Sequence, residues 1–326
     1  MNSRSSNKKK RKVRKRRVFL FIVLILILGA VGYVVSQYYQ GKREAGEGLD
    51  KTKNIEFHGK KDENGRINFL LLGIDKRKNE TKSHTDTIMV AQYDPKNNKV
   101  KLISLMRDMF VEIPGYKKWK INTAYFLEGP ELLRKTIQQN FGLDVQYYVM
   151  VDFKGFEKIV DTLAPDGIKI DVEKKMSKNI GVTLEPGVQR LNGKELLGYA
   201  RFRHDAEGDF GRVARQQKVI NALKSEVLSV NGITKAPKLF GTIQPFIQTN
   251  IGTGDSIALI TKVLLNNPDN IETLTVPVKG SYTNARSDYA GAVLEIDQEK
   301  NRQAIDAFLN NDSTQETSTS DQQSNP

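Results

Sequence analysis

Residues 67–75 read INFLLLGID, a short and nearly continuous apolar run that ends in a glycine and an aspartate. Such a run is typical of a β-strand that is covered on both faces. Further strands are predicted at 86–93, 99–106, 145–153, 271–278 and 291–296. Helices are predicted at 130–140, 153–163, 193–201, from within 201–217 to about 230, near 235–246 and at 254–266. This alternation predicts the α/β class with a mixed central sheet.

Charged residues stand at the ends of the first three strands. The first strand ends at Asp75, the second begins at Asp86, and the third is followed by Arg107 and Asp108. Ligands of open α/β sheets bind beyond the C-terminal ends of strands. Arg107 is therefore interpreted as a phosphate clamp that Asp108 holds in orientation. The alternative is an ordinary surface ion pair.

Asp75 and Asp86 are interpreted as the ligands of a metal ion. Two carboxylates that come close repel each other, and a hard divalent cation relieves the repulsion. Mg²⁺, with Mn²⁺ as a second possibility, binds one or two carboxylates and takes its other ligands from water and phosphate oxygens. The alternative is that the two aspartates cap their strands independently.

Residues 201–217 (RFRHDAEGDFGRVARQQ) form a cationic segment interrupted by acids. Arg212, Arg215 and Gln216 stand at i, i+3 and i+4, so on a helix they share one face. This face continues through the apolar Val219 and Leu223. Buried arginines need an anionic partner, so an anion site beside an apolar wall is predicted. The alternative is a salt-bridged surface turn. The residues concerned are Arg201, Arg203, Arg212, Arg215 and Gln216, with Asp205, Glu207 and Asp209 as the acids.

The N-terminus determines the predicted location of the chain. Residues 1–17 hold ten positive charges and no acid, which leaves only +3 of the formal charge of +13 to the rest of the chain. An uncharged apolar run of 18 residues follows, Val18–Val35, which as a helix spans roughly 27 Å. With the positive flank on its N-terminal side, the run predicts a cytoplasmic N-terminus and an exported domain. A cleavable signal peptide is the alternative, but no A-x-A-like site follows.

The remaining composition excludes several kinds of site. The chain has no cysteine, so disulfides and thiolate metal sites are excluded, and its three histidines do not favour a multi-histidine zinc site. His84 and His204 are interpreted as polar neighbours of the site. The predicted organisation is a basic tail (1–17), a membrane anchor (18–37), a stalk (38–65), an extracellular catalytic domain (66–310) and a disordered tail (311–326).

Arginines together with a carboxylate-held Mg²⁺ predict a ligand with several phosphate oxygens. Neither GxxxxGK[ST] nor GxGxxG is present, so an ordinary nucleotide site has no support. Outside the cell, on a membrane-tethered domain, the expected phosphate ligands are linked to lipids.

Four segments together resemble the LytR–CpsA–Psr family, and most closely its MsrR-like branch. They are LLLGID (70–75), HTDTIM (84–89), LISLMRD (102–108) and the arginine-rich 201–217. The short N-terminal tail, the single span and the order of the motifs also match. The resemblance covers about residues 66–230, and several motifs in one order are stronger evidence than any one of them.

The resemblance implies an α/β/α domain with a mixed central sheet and a long apolar cavity for a polyprenyl chain. It implies an envelope enzyme that transfers a glycopolymer, such as wall teichoic acid or capsule, from undecaprenyl pyrophosphate to peptidoglycan, and so affects envelope integrity and resistance to cell-wall antibiotics. The family's metal-binding aspartates fall on Asp75 and Asp86, and its acidic motif positions on Asp108 and Asp209. Its pyrophosphate-binding residues fall on Arg107, Arg201, Arg203, Arg212, Arg215 and Gln216.

The expected reaction is attack by a muramic acid hydroxyl on the sugar-linked phosphorus. The predicted catalytic residues are Arg107, Asp108, Asp209 and Arg212, with Asp108 or Asp209 accepting the hydroxyl proton. His84 stands where many family members carry arginine, so one phosphate contact is either absent or dependent on pH.

Three other functions stay open at this point: a hydrolase of the same pyrophosphate, a sensory module that binds without turnover, and a regulator of gene expression. A 17-residue cytoplasmic tail is too short for a helix-turn-helix, so any effect on transcription is expected to be indirect, without nucleic-acid binding.

Overall fold

The computed structural model describes residues 29, 32–43, 55–75, 84–227, 237–238, 240–268 and 270–310. The basic tail 1–17, most of the predicted membrane anchor and the C-terminal tail 311–326 lie outside these residues. Within the described ranges, none of the helices has the combination of length and apolar character that a membrane crossing requires.

A mixed sheet of six strands forms the centre of the fold. Its strands are β1 (Ile67–Ile74), β2 (Thr85–Asp94), β3 (Lys99–Leu105), β6 (Tyr147–Asp152), β9 (Ile247–Thr249) and β10 (Ile271–Val276), and they lie side by side in the order β10-β3-β2-β1-β6-β9. β1 pairs with β6 and β10 with β3 in parallel, while the other three pairs are antiparallel. The predicted class and mixed sheet are confirmed. Residues of β1 alternate between buried and half-buried, with none exposed, as expected for a strand covered on both faces.

Two smaller sheets complete the described strands. β4 (Met109–Val111) and β5 (Trp119–Lys120) pair with β11 (Tyr282–Ser287) and β12 (Gly291–Ile296) in the order β11-β12-β4-β5, and β7 (Ile168–Val172) pairs with β8 (Gly187–Leu191). β4, β5 and β11 were not predicted, because two of them are very short and β11 (YTNARS) is a mostly exposed, polar edge strand.

The helices fall into two groups, each with its own apolar core. They are α1 (32–43), α2 (Ile121–Glu128), α3 (Pro130–Phe141), α4 (Phe153–Leu163), α5 (Gly193–Arg201), α6 (Gly208–Val227), α7 (237–238 and 240–243), α8 (Thr253–Asn266) and α9 (Gln298–Asn310). The larger core joins α2, α3 and α9 to the sheet, and the second joins α4, α5 and α6 to the β7–β8 hairpin.

The two groups contact opposite faces of β3. Lys101 donates to carbonyls near the end of α9, whereas Ser104, three residues further on, accepts from Gln217 of α6. Residues at an odd spacing point to opposite faces of a strand, so α9 and α6 cover different faces of the sheet. Helices on both faces of a mixed sheet agree with the predicted layering.

The predicted stalk needs correction where it is described. Residues 55–60 belong to the domain: Ile55 and Phe57 pack on the larger core, the Phe57 and Tyr148 ring centroids are 5.0 Å apart, and the Lys60 amide donates to the Val145 carbonyl. The domain therefore begins by residue 55 rather than 66. The two isolated apolar side chains were missed because they form no periodic pattern.

Helix α1 also contacts the domain. The rings of Tyr38 and Phe240 stack with centroids 6.1 Å apart. A Cβ atom at Gly41 would collide with the Lys238 carbonyl, and one at Gly241 with the Tyr38 carbonyl. The two backbones therefore cross at glycines, because no side chain fits between them.

Candidate functional site

The strand ends that carry charged residues meet at one edge of the central sheet. β2 runs antiparallel to both β1 and β3, so the end of β1, the start of β2 and the end of β3 lie together. This register places Asp75, Asp86 and Arg107 in one cleft, as the sequence predicts. Asp75 and Arg107 are separated in the chain by the whole of β2 and β3, and the antiparallel pairing of these strands brings them together.

The cleft has a volume of about 620 Å³ and is predominantly cationic. Six basic and three acidic side chains line it, a net charge of +3 with the histidines neutral. Its lining residues are Asp75, His84, Asp86, Arg107, Asp108, Trp119, Lys120, Asn122, Thr123, Lys178, Asn179, Arg201, Arg203, His204 and Arg212. A concave site with this excess of cations is suited to a polyanion.

Arg107 is held between three carboxylates. Its Nη1 donates to Asp86 Oδ1 over 2.5 Å, its Nε lies 3.4 Å from Asp108 Oδ2, and its Nη2 lies 3.9 Å from Asp209 Oδ2. Burial lowers the pKa of Arg107, but the charges of these three carboxylates outweigh the burial and raise that pKa overall. The clamp that the sequence predicts is thus oriented by three acids rather than by Asp108 alone.

Arg212 is a buried and incompletely paired cation of the cleft. Its side chain is only 7% exposed, and its Nη1 lies 3.1 Å from Asp209 Oδ1. Burial and the nearby charge of Arg107 lower its pKa. Its Nε is buried and makes no hydrogen bond within the described part of the chain. A buried guanidinium beside a second cation is stabilised by an anion, so this position has the chemistry of an anion site.

Asp75 and Asp86 have the donor chemistry that a hard cation requires. Both carboxylates line the cleft, at facing ends of neighbouring antiparallel strands. In the described residues no group of three or more histidine and acidic side chains is arranged to hold a metal. Two carboxylates with open positions fit Mg²⁺ bound jointly with phosphate oxygens. Asp86 Oδ1 accepts a hydrogen bond from Arg107, so a metal held by Asp86 would share this carboxylate with the guanidinium.

Asp108 and Asp209 occupy different positions. Asp108 lines the cleft, and its Oδ1 lies 2.9 Å from Lys120 Nζ. Burial raises the pKa of Asp108, but the hydrogen bond from Lys120 and the charge of Arg107 outweigh it and lower that pKa. Asp209 lies in the first turn of α6, bound to Arg212, and is not among the described residues that line the cleft.

Arg201 and Arg203 line the cleft as predicted, next to the two histidines. The Arg201 guanidinium lies 4.3 Å from the centre of the Phe153 ring. His204 Nε2 is 2.7 Å from Asn179 Nδ2, and the His84 ring stacks on Phe126 with centroids 4.4 Å apart. The histidines are therefore neighbours of the site with aromatic or amide contacts.

Arg215 and Gln216 are not among the described residues that line the cleft. Arg215 is buried, with Nη1 donating to Asp205 Oδ2 over 3.0 Å and Nη2 to the Phe202 carbonyl over 2.9 Å. Gln216 donates to the Ala200 carbonyl. Both side chains thus join α6 to the end of α5 and the segment after it. Sharing a helix face with Arg212 does not bring them to the same surface, because α5 covers part of that face.

The apolar continuation of this helix face lies in the core. Val219 is 3% exposed and belongs to the second core cluster, against which Leu223 packs. The lipid cavity that the resemblance implies therefore stays a prediction.

Six residues of the cleft were not predicted from the sequence: Trp119, Lys120, Asn122, Thr123, Lys178 and Asn179. The basic run KKWK at 117–120 was the available signal for Lys120. The others come from β5, α2 and the loop after β7, which only the tertiary fold brings to the sheet edge.

Comparisons with known proteins agree with this architecture. The pattern of the LytR_cpsA_psr family matches residues 32–305. "Regulatory protein MsrR" of Staphylococcus aureus (strain COL) is 47% identical over 280 residues, which are 86% of this chain and 85% of that protein. "Polyisoprenyl-teichoic acid--peptidoglycan teichoic acid transferase TagU" of Bacillus cereus is 33% identical over 216 residues, 66% of this chain and 69% of that protein. The crystal structure of B. subtilis TagV has a TM-score of 0.63 at 29% identity, covering 75% of this chain and 97% of that one.

Proposed function

Because the chain belongs to the LytR–CpsA–Psr family, we propose that it is a cell-wall glycopolymer transferase. Its donor is a polymer such as wall teichoic acid or capsule on undecaprenyl pyrophosphate, and its acceptor is a muramic acid hydroxyl of peptidoglycan. The relative named as a teichoic acid transferase supports the substrate class. The observation that carries the proposal is Arg212, a buried and incompletely paired cation in a cleft that also holds Asp75 and Asp86.

Asp75 and Asp86 are proposed to hold Mg²⁺, or Mn²⁺ in its place. When bound, the ion neutralises charge on the pyrophosphate oxygens. The chain's own contribution is to supply two carboxylate oxygens at a fixed sheet edge and to leave the other positions to the donor and water.

Arg107, Arg201, Arg203 and Arg212 are proposed to bind the pyrophosphate. As charge develops on the leaving lipid phosphate, these preorganised donors stabilise it. The half-buried Arg107 and the buried Arg212 contribute more than the exposed Arg203, because the surrounding protein screens their charge less than water does. Arg215 and Gln216 would act through α5 and α6, by holding the helix that carries Arg212.

The acceptor hydroxyl oxygen is proposed to form a bond to the sugar-linked phosphorus while the bond from that phosphorus to the oxygen of the lipid phosphate breaks. The products are a phosphodiester on peptidoglycan and undecaprenyl phosphate. The hydroxyl proton passes to a carboxylate, and Asp108 is better placed than Asp209 because it lines the cleft. Asp108 is ionised at neutral pH, because an ordinary aspartate has a pKa of about 3.9 and that of Asp108 is lower.

The reaction requires the domain to face the outside of the cell. The basic tail and the apolar run 18–35 support a single-pass anchor in the cell membrane of a Gram-positive bacterium, with the N-terminus in the cytoplasm. The contact between α1 and α7 would then hold the domain close to the end of the anchor.

A transfer assay with purified full-length chain, lipid-linked donor and peptidoglycan tests the proposal. Arg212→Ala is expected to reduce transfer at least 100-fold, with the fold retained by circular dichroism. Arg190→Ala, on the exposed strand β8, is the matched control and should retain transfer. Full transfer by the Arg212 variant would contradict the assignment.

Two other functions lead to different results, in this assay or in further ones. A lipid pyrophosphate hydrolase would release the polymer to water at the same rate with and without peptidoglycan. A regulatory role, which the name of the 47% identical relative suggests, would leave cellular activity unaffected by Asp75→Asn. Direct action on genes would require DNA binding that is lost when residues 1–17 are removed.

A further inference from the structure

Two polar side chains that line the cleft have no protein partner. Asn122 and Thr123 lie in the first turn of α2, and each residue is only 8% exposed. Within the part of the chain that the structure describes, neither side chain makes a hydrogen bond, although the Asn122 backbone amide donates to the Arg107 carbonyl. Buried polar side chains are nearly always hydrogen-bonded, so this pair at a concave surface indicates that a ligand supplies the partner.

The first turn of α2 reaches the cleft from one side of the sheet edge. α2 packs in the larger core with α3 and α9, whereas α5 and α6 belong to the second group of helices, on the other face of the sheet. The cleft therefore has two sides. We call them the α2 side, defined by Asn122 and Thr123, and the arginine side, defined by Arg201, Arg203 and Arg212.

The two sides differ in charge. On the α2 side, Lys120 Nζ lies 2.9 Å from Asp108 Oδ1, so the cation next to the helix is compensated. The arginine side carries three cations, and the acids that line the cleft all come from the strand ends. A phosphate is therefore favoured on the arginine side, and an uncharged polar group on the α2 side.

The hydrogen-bonding capacity of the pair also favours an uncharged ligand. An asparagine amide offers two donors and one acceptor, and a threonine hydroxyl both donates and accepts. Ionised phosphate oxygens only accept, so a phosphate would leave the Asn122 carbonyl unpaired, which is costly for a buried group. Sugar hydroxyl and acetamido groups donate and accept, and so can pair with both side chains.

The position of the pair relative to the reaction distinguishes between the two substrates. In phosphoryl transfer, the attacking and leaving oxygens lie roughly in line through the phosphorus. If the arginine side stabilises the leaving lipid phosphate, the attacking hydroxyl approaches from the α2 side. Asp108, the proposed proton acceptor, is bound there to Lys120, the residue immediately before α2.

We propose that Asn122 and Thr123 bind the acceptor sugar through its hydroxyl and amide groups, and direct its attacking hydroxyl to the phosphorus beside Asp108. This inference rests on the proposed transferase function and adds the site at which the second substrate binds. The first sugar of the donor polymer carries the same kinds of group, and kinetics separate the two occupants.

Binding is tested by calorimetry with phosphate-free peptidoglycan oligosaccharides and the full-length chain in detergent. Asn122→Ala is expected to weaken binding about tenfold and Thr123→Val about threefold, because neutral hydrogen bonds to the sugar are lost. Thr123→Val keeps the shape of the side chain and isolates the hydroxyl. Since neither side chain has a partner in the described structure, both variants should show normal thermal unfolding.

The matched control is Thr136→Val. Thr136 is completely buried in α3, its hydroxyl donates to the Leu132 carbonyl, and it is not among the described residues that line the cleft. This variant should bind the oligosaccharides as tightly as the unaltered chain. The proposal is overturned if Asn122→Ala and Thr123→Val bind them as tightly as Thr136→Val does.

Inorganic pyrophosphate is the second probe, because the N-terminus of α2 also has the polarity to attract an anion. Asn122→Ala should bind it within about twofold of the unaltered chain, whereas Arg212→Ala should bind it at least tenfold more weakly. If Asn122→Ala weakens the binding of pyrophosphate as strongly as that of the oligosaccharides, the first turn of α2 is a phosphate site and the proposal is overturned.

Kinetics identify the occupant and distinguish this proposal from the proposed function. Asn122→Ala should raise the KM for the acceptor about tenfold and leave the KM for the lipid-linked donor unchanged. A raised KM for the donor alone would overturn the proposal in favour of the donor's first sugar. If transfer by Asn122→Ala is normal at low acceptor concentration, the sugar site fails while the function stands. If the unaltered chain binds the oligosaccharides more tightly than Asn122→Ala but transfers no polymer to them, the transferase function fails while the sugar site remains.

Discussion

Replacing Arg107 by glutamine should tighten the binding of a divalent cation, although it removes a residue proposed to bind substrate. Arg107 Nη1 donates over 2.5 Å to Oδ1 of Asp86, one of the two carboxylates proposed to hold the metal. In the free protein, the guanidinium and the ion therefore compete for one carboxylate. Binding of pyrophosphate would draw Arg107 toward the phosphate oxygens and release Asp86, so that metal and donor bind cooperatively.

The magnitude follows from the contact that the ion must displace. A hydrogen bond between charged groups contributes about 1.5–3 kcal/mol net, and the Arg107 and Asp86 side chains are 19% and 29% exposed, which favours the lower end. About 1.4 kcal/mol corresponds to a factor of ten in affinity. We therefore expect Arg107→Gln to bind Mn²⁺ about tenfold more tightly than the unaltered chain. Free Mn²⁺ can be counted by electron paramagnetic resonance, without any substrate.

Arg203→Gln is the control for charge alone. Arg203 lines the same cleft but is exposed, so its loss removes one positive charge without releasing Asp86. This variant should change the Mn²⁺ affinity by less than about threefold, because exposed charges are strongly screened. Equal affinities of the two variants would refute the competition between Arg107 and the metal. If Arg107→Gln binds Mn²⁺ more weakly than the unaltered chain while its thermal unfolding is normal, the placement of the metal at Asp86 is refuted.

The remaining predictions concern stability. Arg215→Ala should lower the free energy of unfolding by about 1–3 kcal/mol in urea titrations, because Asp205 keeps Lys174 and the Gly208 amide but loses Arg215, and the Phe202 carbonyl loses its donor. Arg212→Ala should lower it by less, because Arg212 lines the open cleft. Gln217→Leu should cost about 1–3 kcal/mol in the same titrations, since two sheet hydroxyls lose their partner. The pKa of Asp108 is lowered in the fold, so its ionised form stabilises the protein above the ordinary aspartate pKa of about 3.9, and this contribution is lost as the pH falls through the lower pKa of the folded state. Unfolding measured from pH 7 to pH 3 should therefore show the unaltered chain losing its advantage over Asp108→Asn only below about pH 4.

Each of the three stability predictions would be contradicted by a particular result. Equal destabilisation by Arg212→Ala and Arg215→Ala would show that their different contacts do not matter to the fold. A neutral Gln217→Leu would mean that water replaces the glutamine between α6 and the sheet. A stability difference between the unaltered chain and Asp108→Asn that is independent of pH would show that the aspartate is not ionised preferentially in the folded state.

Five of the six strands of the central sheet were predictable because their patterns are local, whereas the three-residue β9 was not predicted. The burial of β1, β2, β3 and β6 can be predicted from runs of consecutive apolar residues, as at 67–74. The helices α4 and α5 were predicted with the bounds that the structure has. The charged residues at strand ends were equally visible. Antiparallel neighbours with short connections then leave few ways to arrange these ends, so Asp75, Asp86 and Arg107 were expected together.

The positions of the other site residues could not be predicted from their neighbours in the chain. Phe57 packs on the core from a segment without periodicity, and Trp119 and Lys178 reach the cleft from a two-residue strand and a loop. No pattern marks such residues, because their position depends on contacts with parts of the chain that are distant in sequence.

The sequence by itself determined the class of fold, the charge at the edge of the sheet and the family. Only the tertiary structure decided which arginine faces the cleft. Arg212 and Arg215 are three residues apart on one helix and equivalent in sequence terms, yet Arg212 lines the cleft near Arg107 whereas Arg215 is bound by Asp205 and the Phe202 carbonyl. The physical reason is that a helix defines only the direction in which a side chain leaves the backbone, whereas the surface that it meets is formed by other elements, here α5 on one side and the strand ends on the other.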